Sequence, residues 1–179
     1  MPPWWLLGIG FTHVQILSQY AGSGLFHGMA GLPVSTDVAW FVGMGANILV
    51  LLACGAVFRG PRLDRLKRLL APSIILNIVG FLLSVWPTGV TANDDPVALL
   101  GAIALGMGQA IMFLLWADVF NRAKIEEAEI ALPLSSLVVL AYAVVVPLLP
   151  ASLNGIPMLV APLASGATLY LSFQRLPVA

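Results

Sequence analysis

Asp118 and Arg122 stand four residues apart at the close of the apolar run GMGQAIMFLLWADVFNR, the spacing at which opposite charges meet on one helix face. Two chemistries follow from that pairing. It is an ion pair that ends a helix at a water boundary, or it belongs to a latch in which Asp118 pairs with the basic run FRGPRLDRLKR, home of Asp64 and Arg65, and holds one conformational state. A second set, Thr12, Gln15 and Gln19, repeats at i, i+3 and i+7 and so shares a face, with His13 offset to one side. These side chains are glue between helices, or they wall a cavity for a small ligand together with Asn47, Asn77 and Gln109.

Imidazole suits proton relay near neutral pH, but no carboxylate inside an apolar stretch offers itself as a partner for His13. Neither His13 nor His27 has a metal ligand at useful spacing. The single Cys54 rules out an intrachain disulfide. No paired carboxylates within a span, no Ser, His and acid set and no phosphate-binding glycine loop are present, so neither an enzyme nor a cofactor or metal site is expected.

What must position these groups follows from composition. The chain has 179 residues, 60% hydrophobic and 9% charged, against about a quarter charged in soluble domains. Such an excess of apolar surface has to face lipid. The apolar blocks are long instead of short and alternating, which predicts helices and not a barrel. The start, MPPWWLLGIGFTHVQILSQYAG, lacks a positive segment and carries polar residues where a secretion signal is apolar, so it is read as a retained first span. Trp4 and Trp5 then fall at headgroup level.

The expected fold is an all-α membrane bundle of six spans, at about 4–20, 38–58, 69–86, 97–120, 130–149 and 158–173, forming one domain. VSTD and NDDP offer caps before spans two and four, with Pro96 in a first-turn position. Arg59, Arg62, Arg65, Lys67 and Arg68 follow span two, Arg122 and Lys124 follow span four, and Arg175 follows span six, which accounts for all eight basic residues. The opposite connections hold Asp37, Asp94 and Asp95 and no cation. The positive-inside rule therefore places both termini in the cytoplasm of a bacterial plasma membrane. The basic run also fits an anionic-lipid or nucleic-acid patch, but is read as a topology determinant. Span four, at 1.5 Å per residue, reaches the cytoplasmic boundary near Trp116, just before Asp118.

Ala102, Gly106 and Ala110, four apart, make a strip where another helix packs closely. GMGANILVLL in span two echoes GMGQAIMFLL in span four, too briefly in so apolar an alphabet to establish a repeat. Pro147 and Pro162 should bend spans five and six.

Six spans with cytoplasmic ends and a short basic connection after span two resemble one half of a major facilitator transporter. GPRLDRLKR is similar to that family's loop, through Gly60, Asp64, Arg65, Lys67 and Arg68, while Pro61 and the missing second glycine depart from it. The segment GMGQAIMFLLWADVFNRAKIEEAEIALPLSSL resembles the fourth and fifth spans of the transporter-like membrane region of LuxR-type regulators from actinobacteria, with Gly106, Gly108, Trp116, Asp118 and Phe120 in matching positions. That resemblance implies twelve spans before a DNA-binding helix-turn-helix. Here it implies the first six-span half of a sensor, with no DNA contact from this chain. The expected function is a membrane sensor or regulator module; a small transporter half working as a homodimer is the alternative. Expected partners are the bilayer, a second half or copy, and an unidentified small molecule. A cysteine replacing Lys67 should react with impermeant reagents only from the cytoplasmic side; labelling from outside intact cells would overturn the assigned threading.

Overall fold

The computed structural model describes residues 4–21, 36–57, 67–84, 96–145, 148 and 155–175, apart from the side chains of 18–21, 36, 37 and 57. Among them the chain is helical, with no strand. A 3-10 turn, Trp4–Leu7, leads into α1, Gly8–Ala21; α2 is Thr36–Val57, α3 Leu70–Ser84, α4 Pro96–Arg122, α5 Ile125–Val145 and α6 Ile156–Arg175. Four stretches, Val38–Ala56, Pro96–Arg122, Ile125–Val145 and Ile156–Arg175, are long and apolar enough to cross a membrane, while Trp4–Leu17 and Leu70–Ser84 are apolar but shorter.

Each expected span overlaps one helix, and the ends differ for physical reasons. α5 starts at Ile125, five residues before the apolar run, because Lys124 O accepts from the amides of Glu127 and Ala128. Glu126 and Glu127 in that first turn also sit at the positive end of the helix dipole. The link between α4 and α5 is therefore only Ala123 and Lys124. Pro147 lies outside the described residues; among the described residues the prolines beyond the first turn of a helix are Pro133 in α5 and Pro162 in α6. In α5 the hydroxyl of Ser135 donates to Leu132 O at 2.6 Å, close to the position where Pro133 lacks an amide.

Side-chain pairings set the helix directions. Trp5 meets Ser172 and Thr12 meets Ser165, so α1 and α6 are antiparallel. Gly155 lies against Phe81 and Gly166 against Ile74, so α3 and α6 are antiparallel too. Ser84 meets Gly101 and Asn77 meets Gly108, which makes α3 and α4 antiparallel. Thus α1 runs parallel to α3, and α4 to α6. The chain changes ends between the members of each pair, and α2 and α5 are the elements that carry it across.

α4 is the central helix. More than half of its apolar stretch is buried, whereas none of that in α2 is. The larger core gathers Leu6, Met112, Leu115, Trp116, Val119, Ala131 and Leu169 where α1 and α3 begin and α4 and α6 finish. A smaller one, Phe81, Leu105 and Met158, fills the other half. Every described basic side chain, Lys67, Arg68, Arg122, Lys124 and Arg175, sits at the end that holds the larger core.

Two crossings on α4 bring backbones together. Gly106 of α4 abuts the carbonyl of Gly43 in α2, where a Cβ would collide with backbone. Gly80 of α3 faces Gly101 and Leu105, with a Cβ placed 2.6 Å from the Leu105 amide. Ala102 also lies against Gly43, so the small-residue strip of α4 faces α2. Overpacking at such sites costs about 1–3 kcal/mol or more. Gly106→Leu should lose at least that much stability in an SDS-unfolding titration, whereas Gly45→Leu, whose Cβ meets nothing within 4 Å, should stay near wild type.

Candidate functional site

The polar residues of span one are brought together with others halfway along the bundle. Thr12 and Gln15 lie on the face of α1 turned inward, because the opposite choice would leave hydroxyl and amide in hydrocarbon. Both are buried, as are Asn77 of α3 and Ser165 of α6. Gln15 Nε2 donates to Asn77 Oδ1 at 2.7 Å. Asn77 Nδ2 in turn donates to the carbonyl of Ser73 one turn back, at 2.8 Å. Trp116 Nε1 of α4 donates to Ser165 Oγ at 2.9 Å, and Ser165 shares a hydrogen bond of 2.8 Å with Thr12 Oγ1.

The layer thus holds two chains of hydrogen bonds. One joins α1 to α3; the other joins α4, α6 and α1. Ser73 adds a bond of 2.7 Å to Leu70 O and touches Met112 Sδ at 4.0 Å. Gln109 belongs to the same level, next to Gly108, which abuts Asn77. It is 4% exposed, and its Nε2 has no acceptor among the described residues.

Two further candidates stand apart. His13 is exposed, its Nδ1 donating to Ile9 O at 2.9 Å and its ring edge-on to Phe113 of α4 at 5.6 Å between centroids. Asn47 is half-buried on α2. The side chain of Gln19, and Asp64 and Arg65 of the candidate latch, lie outside the described residues. The ion pair within α4, the other alternative for Asp118, is formed: Arg122 Nε donates to Asp118 Oδ1 at 3.2 Å, with Asp118 Oδ2 and Arg122 Nη1 both buried and unpartnered among the described residues. Ala110 is fully buried.

Trp116, Ser165 and Ser73 were not among the expected site residues. Trp116 is wholly enclosed by the bundle. A signal for span six was present, since Ser165, Thr168 and Ser172 repeat the i, i+3, i+7 rhythm of Thr12, Gln15 and Gln19.

Chemically the layer offers neutral amides, hydroxyls and one indole N–H. It can hold helices in register and recognise a neutral hydrogen-bonding group, the free donor being Gln109 Nε2. Among the described residues no cluster of three His, Cys, Asp or Glu could hold a metal. The chain was compared with protein-family models, curated proteins and solved structures, and none of them matches.

Hydrogen bonds between membrane helices are worth about 0.6–2 kcal/mol. A double-mutant cycle of Gln15→Leu and Asn77→Leu should therefore return a coupling of about that size in SDS unfolding. A coupling indistinguishable from zero would remove this bond from the forces that hold α1 to α3.

Proposed function

We propose that this chain is a non-enzymatic membrane module of sensor or regulator type, a six-span transporter-like half with both ends in the cytoplasm that works against a second half. The observation that carries the reading is the exchange pattern of the packing. α1 packs chiefly on α6 and α5, and α4 chiefly on α3 and α2. Exchanging helices one to three with helices four to six returns the same pattern. α1 and α4 run in opposite senses, as do α3 and α6, which is what an inverted repeat with an odd number of spans requires.

The span count has support beyond the four long helices. The Trp4–Leu7 turn plus α1 reaches about 29 Å at 2.0 and 1.5 Å per residue, close to the hydrocarbon thickness. α3 covers about 22 Å, and its parallel relation to α1 leaves it crossing in the same sense. The gathering of described cations at one end supports the cytoplasmic assignment for that end.

A second half is supported by His13. It is exposed beside Phe113, one residue from the Thr12 and Ser165 pair that marks the middle of the bundle. An ionisable side chain at that depth belongs against protein or water and not lipid. α2 and α5 flank this seam of α1 and α4 with exposed apolar side chains, Phe41, Ile48 and Leu52 on one and Leu137, Leu140 and Val144 on the other. The regulator character rests on the resemblance of the segment 106–137, whose Trp116 is the donor that ties α4 to α6.

With Cys54 replaced by alanine, single cysteines at Ile48 and Leu140 should crosslink to a second six-helix chain or second copy in native membranes. Reaction with lipid-soluble probes alone, and no protein crosslink, would overturn the two-half reading. The lone chain should be inert in vesicles; substrate-dependent flux would replace the sensor reading with transport.

A further inference from the structure

A corner at the basic end collects cations and aromatic rings that the polar layer does not use. It is built from the Trp4–Leu7 turn, the residues that lead into α3, and the end of α6. Ser172 Oγ, besides its bond to Thr168 O, contacts Trp5 O at 3.2 Å and pins the turn to α6. The Arg175 guanidinium then lies 4.5 Å from the centroid of the Trp5 ring and 5.5 Å from that of Trp4, which meet edge to face. Lys67 Nζ lies 5.6 Å from the centroid of Phe173, two residues before Arg175. Arg68 follows, exposed.

These cations have no carboxylate within ion-pair distance among the described residues, where the one ion pair is Arg122 with Asp118. Glu126, Glu127 and Glu129 at the start of α5 form none with them. A ring face attracts a cation but accepts none of its N–H bonds in the way an oxyanion does. The corner also holds a donor in want of an acceptor: Trp5 Nε1 is buried and has none among the described residues. Positive charge, free N–H groups and an unmatched indole call for an anion with several oxygens.

We infer that this corner binds the phosphate of an anionic phospholipid of the surrounding bilayer, held between Lys67 and Arg175 with the Trp4 and Trp5 rings against its glycerol and upper acyl region. A lipid fits better than a soluble anion because Trp4 is 47% exposed beside the cations, an apolar surface that acyl chains cover and a free phosphate leaves wet. An anionic headgroup fits better than a zwitterionic one, whose own ammonium would meet Lys67 and Arg68.

The full chain in detergent, titrated with phosphatidylglycerol and followed by native mass spectrometry and thermal unfolding, tests this. Phosphatidylglycerol should bind and raise the unfolding temperature, and phosphatidylcholine should do neither. Lys67→Gln and Arg175→Gln should each weaken binding about fivefold, and together about 25-fold, as expected for basic side chains at an anionic surface. Trp5→Phe, which keeps the ring and removes the N–H, should also weaken it, and Arg175→Lys should retain most of it. Lys124→Gln, a cation at the same end outside the corner, should change nothing. Equal binding of phosphatidylcholine, an equal loss in Lys124→Gln, or equal stabilisation by free glycerol phosphate would each overturn the assignment.

Discussion

The indole N–H of Trp116 and the hydroxyls of Ser165 and Thr12 tie three helices together at a depth where no water competes. In hydrocarbon a polar group without a partner costs several kcal/mol, so these contacts restrict the bundle to arrangements that keep α1, α4 and α6 in one register. The other constraints are steric and act around that core. Gly43 and Gly106 let α2 settle on α4, and Gly80 and Gly101 let α3 do the same on another side. α4 is central because its faces are small or apolar nearly throughout, so each can take a neighbour.

Much of this was legible in the amino-acid order. Long apolar runs with Pro96 and Asp-rich punctuation locate the helices, since chain direction and hydrocarbon thickness leave few alternatives. The inward face of α1 follows from Thr12 and Gln15 being three apart. The partners were harder. Asn77 stands out as an amide in an apolar run, but Ser165 looks like any small residue, and nothing in the amino-acid order shows that Trp116 is buried between helices. His13 illustrates the same limit, because its neighbour Gln15 turns inward while it faces outward, a difference set by where α5 and α4 happen to lie.

The echo of Gly-Met-Gly in α2 and α4 falls at one close crossing. The first glycines of the two copies, Gly43 and Gly106, are pressed against each other, while Gly45 is open and Gly108 meets Asn77. Both sides of that crossing need the lack of a side chain.

The bond between Thr12 and Ser165 spans 153 positions of the chain. At a translation rate of about 5–20 residues per second, roughly 8–30 s separate the synthesis of its two ends. Throughout that interval the Thr12 hydroxyl of α1 has no mate on α6. The bond of Gln15 to Asn77 of α3 spans only 62 positions, so in chain order the tie of α1 to α3 becomes possible well before the tie to α6.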